Sequence, residues 1–411
     1  MPNLRWLITE LARRLWVRAS IFGVAGIFTA MIAIALAPLI PADWSGKIGA
    51  DSVGNVLNIL ASSMLAVTTF SLATMVSVYA SASSATTPRV AELLIQDSSA
   101  QNALATFVGS FLFSLVGIIA LNAGVYGDSG RVVLFVGTIG VIAVIVITLL
   151  RWIDLLARFG RVGDAIDRVE AAAIHAMRAR WRHPCIGARM RAGPAPTVAA
   201  VSSAKIGYVQ HIDVEALERV AAVGGGEIHV EALPGAFVDT ARPIAWLDFV
   251  PDNDAVQAVR AAFNVGARRS FDQDPRFGIV VLSEIASKAL SPAVNDPGTA
   301  IATMAALVRV LAILAEPRDE DSEIFYPHVF IPALAVDELF NDAFSPISES
   351  GAGTLAVGIR LQKTLHALAA LDHPEFRNAA RHQSALAVAR ARHALPLAAD
   401  VARLEQASAV I

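Results

Sequence analysis

The sequence predicts a membrane domain of four transmembrane helices, followed by a cytoplasmic α+β domain with a small barrel-sandwich-like β module and a helical bundle. Three observations predict this class. Mean hydropathy is +0.55, and only 17% of the 411 residues are charged, against about 25% in soluble domains. The apolar excess is concentrated before Arg151. Beyond that point the chain has short alternating runs and capped amphipathic segments, as soluble domains do.

The composition also narrows the function classes. A net charge of −3 indicates no basic surface, so we expect no nucleic-acid partner. The single cysteine, Cys185, excludes an internal disulfide framework and a paired-cysteine metal site. The sequence contains no glycine-rich phosphate loop, no nucleophile elbow and no paired-histidine motif. We therefore predict that the protein is not an enzyme and needs no cofactor.

Residues 1–19 are predicted to form an amphipathic helix that lies at the bilayer surface. Leu4, Leu7 and Leu11 share one face of this helix, whereas its arginines lie elsewhere. The apolar run that follows, about residues 21–40, is too long for a signal peptide and has no small-residue cleavage site after it. It is therefore predicted to be a retained first span of a transmembrane domain that covers residues 20–151.

The second apolar stretch, residues 55–89, has no charged residue before Arg89 and is rich in hydroxyl groups. At 100° per residue, five hydroxyl side chains fall within an arc of roughly 80°. Lipid offers no hydrogen-bond partner, so this arc is expected to face another helix or water. Either it lines a pore formed by several copies, or it bonds neighbouring helices and its own carbonyls. The hydroxyl arc consists of Ser63, Thr74, Ser77, Ser81 and Ser84.

After a loop at about residues 85–100, the third span, residues 101–126, carries small residues at steps of three or four. Such spacing predicts close helix packing. The fourth span, residues 132–150, is almost entirely Val, Ile and Leu, and is predicted to face lipid. Arginines precede the first span and follow the fourth, which predicts cytoplasmic termini in a bacterial inner membrane. No span contains Asp, Glu, Lys, Arg or His, which argues against charge-coupled transport.

The soluble region is predicted to begin with a connecting helix and loop at residues 152–200. A small structural β module follows at residues 201–252, where alternating runs lie between glycine-rich turns. A biotinyl or lipoyl carrier module would have a lysine at its hairpin tip. The matching residues here, Gly224–Gly226, include no lysine, so a carrier role is not expected. The predicted strands are Ile206–Ile212, Glu227–Glu231 and Ile244–Phe249.

Residues 253–411 are predicted to be helical. Asp274 and Asp296 each precede a proline, the pattern of a helix cap followed by the first helical turn. Their oxygens, with those of Asp272, Glu284 and Asn295, could instead converge on Mg²⁺ or Ca²⁺. Capping explains both Asp-Pro pairs, so no metal site is predicted. The candidate cytoplasmic motif consists of Asp272, Asp274, Ser291, Asn295 and Asp296.

Three phrases of the sequence point to a family. The first is TFSLATMVSVYASASSATTPR followed by QNALATFVGSFLFSLVGIIAL, the second is RRSFDQDPRFGIVVLSEIASKALSPAVNDPGTA, and the third is GYVQHID. They resemble the signatures of the DUF2254 family of uncharacterised, predicted bacterial membrane proteins. The resemblance extends from the first span to about Ala370. It implies an integral membrane protein with a cytoplasmic C-terminal domain, and it implies no particular activity.

Together these features predict an oligomeric membrane protein that acts as a channel or passive transporter. Four spans from one chain can hardly enclose a path, so a path requires a homo-oligomer within the lipid bilayer. The second span would line this path, and the cytoplasmic domain would control assembly or gating. The alternative is a non-transporting scaffold or sensor whose cytoplasmic domain binds a protein partner or an ion.

Overall fold

The computed structural model describes residues 50–95, 97–124, 128–158, 160–196, 198–317 and 324–409, together with six single positions before residue 50. The chain divides into two compact units, one ending at Arg161 and the other beginning at Val162. The predicted surface helix at residues 1–19 and the predicted first span lie almost entirely outside the described residues.

Three long apolar helices and one short helix make up the described part of the first unit. The predicted second, third and fourth spans are all present as helices. The 36 residues of the first helix extend over about 54 Å, well beyond the roughly 30 Å of a bilayer's hydrocarbon core. The helices are α1 (Ala50–Ala85), α2 (Pro88–Ile95), α3 (Ser98–Asn122) and α4 (Asp128–Arg158).

The third helix packs against both α1 and α4. Its small residues make this possible: a Cβ added to Gly117 would lie 3.1 Å from the Leu57 side chain of α1 and 3.6 Å from Leu134 of α4. Ser110 and Ser114 of the same stripe are also buried. The predicted loop at residues 85–100 is partly helical, because it contains α2. This short helix is amphipathic and buries Val90 and Leu94.

The second unit contains two β-sheets. The order in the five-stranded sheet is β1-β8-β4-β6-β2, and in the three-stranded sheet it is β5-β3-β7. β8 runs parallel to β1 and β4, and the other pairs are antiparallel. The strands are β1 (Ala188–Met190), β2 (Ala199–Ser202), β3 (Gly207–Ile212), β4 (Ile228–Val230), β5 (Phe237–Val238), β6 (Pro243–Leu247), β7 (Phe263–Gly266) and β8 (Tyr326–Ile331).

Three helices of the second unit pack against α8 (Pro275–Ala289). They are α5 (Val162–Arg182), α9 (Pro297–Ala312) and α10 (Val336–Ser350). Gly278 of α8 lies so close to Ala173 of α5 that an added Cβ would overlap that residue. The helices are α5 (Val162–Arg182), α6 (Val214–Gly224), α7 (Asn253–Ala262), α8 (Pro275–Ala289), α9 (Pro297–Ala312), α10 (Val336–Ser350), α11 (Leu355–Ala369), α12 (Phe376–Ala394) and α13 (Ala398–Ser408).

The β module differs from the barrel-sandwich expectation, which is not confirmed. The three predicted strands exist as β3, β4 and β6, but β3 lies in a different sheet from the other two. Helix α6 separates β3 from β4 along the chain, and its C-cap is Gly225 at φ +68°. Strand β8 comes from outside residues 201–252 and lies between β1 and β4 in the larger sheet. The module is therefore completed by a distant segment.

Four helices among the described residues are long and apolar enough to cross a membrane. Three belong to the first unit, and the fourth covers Pro297–Ala315 in the second. In that fourth helix, Met304, Leu307 and Leu311 are fully buried, and α9 packs against α5, α8 and α11. A helix that is apolar on all sides also suits a protein core, and these contacts make α9 a core helix of its own unit.

Candidate functional site

The face of α1 that packs inside the first unit is not the face that carries the hydroxyl arc. Leu57, Met64, Ser71, Met75 and Ala82 are buried. At 100° per residue, this buried face is centred roughly 120° from the centre of the hydroxyl arc. The hydroxyl arc is therefore not used to pack α1 against α3.

All five side chains of the hydroxyl arc are exposed or half-buried on the single chain. Those of Ser63, Thr74 and Ser84 donate to main-chain carbonyl oxygens three or four residues earlier in α1, at 2.9–3.1 Å. Within the described part of the chain, the hydroxyls of Ser77 and Ser81 form no hydrogen bond. Three hydroxyls of the arc thus bond within α1, and the hydroxyls of Ser77 and Ser81 remain available to a partner.

Two large, exposed apolar side chains lie on the same side of α1 as the hydroxyl arc, which was not predicted from the sequence. Ile59 is 67% exposed and Phe70 is 68% exposed. By helical geometry both lie within the same roughly 80° arc. The hydroxyl groups are therefore uninterrupted only from Thr74 to Ser84, a length of about 15 Å.

The two Asp-Pro motifs are helix caps. Asp274 accepts hydrogen bonds from the main-chain N–H groups of Arg276 (3.1 Å) and Phe277 (3.2 Å) at the start of α8. Asp296 accepts from the N–H of Thr299 (3.1 Å) and from its hydroxyl (2.6 Å) at the start of α9. The capping interpretation is therefore confirmed at both positions.

The five residues of the candidate motif, Asp272, Asp274, Ser291, Asn295 and Asp296, do not form one site. The main-chain N–H of Asp296 donates to the carbonyl oxygen of Ala289 (2.7 Å), at the C-terminal end of α8, whereas Asp274 is at the N-terminal end. The 15 residues of α8 separate these ends by about 22 Å. The alternative in which Asp272, Asp274, Glu284, Asn295 and Asp296 converge on one cation is excluded by this separation of Asp274 from Asp296. Among the described residues, no group of three or more His, Cys, Asp or Glu could hold a metal ion.

The remaining motif residues lie at opposite ends of α8, with Ser291 and Asn295 after its C-terminal end and Asp272 before its N-terminal end. Ser291 donates its hydroxyl hydrogen to the carbonyl of Lys288 (2.7 Å), and Asn295 adopts a left-handed conformation at φ +50°. These two residues turn the chain between α8 and α9. Asp272 lies at the opposite end, where its N–H donates to the hydroxyl of Ser270 (3.2 Å).

Asp274 is also the centre of a buried charge cluster. Its side chain is 1% exposed and pairs with the Arg269 guanidinium through two contacts of 2.7 and 2.8 Å. Burial raises the pKa of the Asp274 carboxyl, and the hydrogen bond from Arg269 opposes this rise. Burial also lowers the pKa of Arg180, partly offset by Cys185 and Asp274. The cluster links Arg180 of α5, Asp274 at the start of α8 and Arg269 in the segment before α8. Its role is therefore structural.

The neighbouring His211 on β3 gives stability a pH dependence. Burial lowers the pKa of His211, and Asp213 and Asp272 only partly offset this. An unfolded histidine titrates near pH 6.5, so below that pH the unfolded chain binds more protons than the folded chain. We expect the melting temperature to decrease as the pH is lowered from about 7 to about 5. The substitution His211→Gln should make this decrease smaller.

Thermal unfolding of the detergent-purified chain at both pH values measures this effect. Burial lowers the pKa of His373 as well, so the His211→Gln variant should remove only part of the dependence. An identical pH dependence in the variant and the parent would contradict the assignment to His211.

A second candidate site is an open groove of about 620 Å³ in the second unit. Its polar lining includes Arg191, which contacts Glu231 at 2.7 Å, and Arg242. Phe237, half-exposed, and Trp246 supply aromatic surface. This volume is in the range of small-molecule sites. Both guanidinium groups are already paired with carboxylates, Arg191 with Glu231 and Arg242 with Asp239 at 2.8 Å, so the aromatic surface is the main binding feature of the groove. No sequence pattern predicts this groove, because its walls come from segments that only the sheet pairing brings together.

The apolar helices of the first unit and the mixed second unit define the class, a membrane protein with an additional α+β region. The chain belongs to the DUF2254 family, whose family model is described as a predicted membrane protein and matches residues 12–367. It is 26% identical over 246 residues to an uncharacterised protein of Mycobacterium tuberculosis and to one of Mycobacterium bovis. Each match covers 57% of this chain and 47% of the relative, so the chain matches about half of their length. No solved structure matches the chain.

Proposed function

We propose that the protein is a homo-oligomer of the bacterial inner membrane, with cytoplasmic termini, in which α1 lines a path for passive transport. The observation that carries this proposal is the exposure of the Ser77 and Ser81 hydroxyls, which have no hydrogen-bond partner in the described chain. An unsatisfied hydroxyl in an apolar medium costs about 1–3 kcal/mol. Water inside a path between copies would remove this cost.

An oligomer also explains why the hydroxyl arc and the packed face of α1 are separate. The packed face holds α1 to α3, which leaves the arc available to other copies around a symmetry axis. In such an arrangement Phe70, 68% exposed, would form an apolar ring, and such constrictions can gate by loss of water. The section from Thr74 to Ser84 would form the wetter part, at the cytoplasmic side in the predicted topology.

Cross-linking in native membranes tests the oligomer and the face it uses. In a Cys185→Ala background, which removes the single native cysteine, Ser81→Cys is treated with a short bis-maleimide. We expect linked dimers, the largest covalent species that one cysteine per copy can form. Val76→Cys, at a position 61% exposed on another face of α1, is the matched control and should stay monomeric. Linking at residue 76 but not at residue 81 would contradict the proposal.

The groove in the second unit favours a second candidate, a sensor that transports nothing and whose cytoplasmic domain binds a ligand or partner. Fluorescence titration of the purified chain with the aromatic anion 8-anilinonaphthalene-1-sulfonate tests this candidate. Binding that is lost in both Arg242→Ala and Trp246→Ala would support it. Binding that neither substitution changes would count against it.

A further inference from the structure

We propose that the path lined by α1 conducts monovalent cations and excludes anions. This inference rests on the proposed function and adds the class of permeant ion. It follows from the direction of the hydrogen bonds along the hydroxyl arc, from the charges that α1 lacks, and from the end of the helix at which the hydroxyls are concentrated.

The hydroxyl arc presents more acceptors than donors. A hydroxyl has one hydrogen and two lone pairs. Ser63, Thr74 and Ser84 each give that hydrogen to a carbonyl of their own helix, so only their oxygen lone pairs remain available to the outside. A cation is bound by such oxygens, whereas an anion needs hydrogen-bond donors. Only Ser77 and Ser81 keep a hydrogen available, so the arc has five acceptors and two donors.

The stretch between Asp51 and Arg89 contains no charged side chain of either sign. No cationic group there holds an anion or repels a cation, so the choice between ions is left to the hydroxyl oxygens and to the end of the helix. Ser84 lies in the last turn of α1, which ends at Ala85, and Ser81 lies next to that turn. The C-terminal end of a helix carries a partial negative charge that favours cations.

The same arc favours monovalent over divalent cations. Protein sites for Ca²⁺ and Mg²⁺ use carboxylates to offset the cost of removing water from these ions. The stretch between Asp51 and Arg89 contains no carboxylate. Neutral hydroxyl oxygens are therefore matched to ions such as K⁺ or Na⁺, whose hydration is weaker.

Recordings across a planar bilayer with the full-length protein test the inference. The current is measured under a KCl gradient in the parent and in Phe70→Ala, which removes the proposed constriction. We expect a current whose reversal potential is close to that of potassium. A reversal potential near zero or near that of chloride would overturn the cation inference and leave the proposed path standing. No current in either protein would overturn the proposed function, and the inference with it.

A matched pair of variants tests whether the hydroxyl arc causes the selectivity. Thr74→Val keeps the side-chain shape and removes one oxygen from the arc. Thr69→Val removes a hydroxyl that makes the same kind of bond, to the carbonyl of Leu65 at 2.9 Å, but lies outside the arc. We expect the potassium-to-chloride permeability ratio to fall about two- to ten-fold in Thr74→Val and to stay unchanged in Thr69→Val. Equal ratios in the two variants would overturn the assignment.

Discussion

Ser77→Trp is expected to abolish ion flux through the reconstituted protein. Ser77 lies on the uninterrupted hydroxyl section of α1 and is exposed on the single chain. In a symmetric oligomer each copy would add one indole at the same height, so the substitution is repeated around the axis. Indole is far larger than a hydroxymethyl group and would fill a narrow path. Flux of K⁺ into dye-loaded proteoliposomes measures the effect.

Val76→Trp is the control for Ser77→Trp. Val76 is 61% exposed but points away from the hydroxyl arc, so its indole would face lipid and flux should be unchanged. Size-exclusion chromatography of both variants in detergent shows whether either has lost its assembly. Normal flux in a correctly assembled Ser77→Trp protein would remove the pore hypothesis.

Asp274→Ala is expected to destabilise the second unit by about 3–5 kcal/mol, the usual cost of removing one partner of a buried ion pair. The Arg269 guanidinium would lose both of its contacts to the carboxylate. The first turn of α8 would also lose its cap. Thermal unfolding of the detergent-purified chain, followed by far-ultraviolet circular dichroism, measures the change.

Asp296→Ala is the matched comparison, because it removes the cap of another Asp-Pro helix without breaking an ion pair. Loss of such a cap costs about 1 kcal/mol. If Asp274→Ala yields no folded protein, Asp274→Asn keeps a capping oxygen but removes the charge that pairs with Arg269, and its stability should lie below that of Asp296→Ala. Equal, small effects of the two alanine substitutions would contradict the importance of the buried pair.

The membrane helices and the caps were predictable from the sequence because both depend on local chemistry. A run of apolar residues without charges must leave water, so hydropathy locates α1, α3 and α4. An aspartate before a proline satisfies the free N–H groups at a helix start, whatever surrounds it. The caps at Asp274 and Asp296 therefore follow from two residues each.

The sheet topology and the groove were not predictable in this way. β8 begins at Tyr326, yet its parallel partner β4 ends at Val230, so the pairing depends on the fold of the intervening chain. The local alternation that identified β3, β4 and β6 carries no information on which strands pair. The groove depends on the same long-range pairing.

The hydroxyl arc is an intermediate case. Helical periodicity correctly groups its five side chains, since α1 is a continuous helix. It could not show that α3 packs on a different face, because that depends on where Gly117 allows close contact with Leu57. Periodicity could have shown that Ile59 and Phe70 share the arc, and this shortens the hydroxyl section.

Measuring which solvent the hydroxyl arc contacts in a bilayer tests most directly whether this side of α1 faces water. Nitroxide labels are placed at Ser77→Cys and Ser81→Cys, and at Leu72→Cys and Val76→Cys for comparison, in the cysteine-free protein in liposomes. We expect a water-soluble nickel chelate to relax the labels at residues 77 and 81 more strongly than oxygen does, with the reverse at residues 72 and 76. Stronger relaxation by oxygen at all four positions would place the hydroxyl arc in lipid and rule out a water-filled path along it.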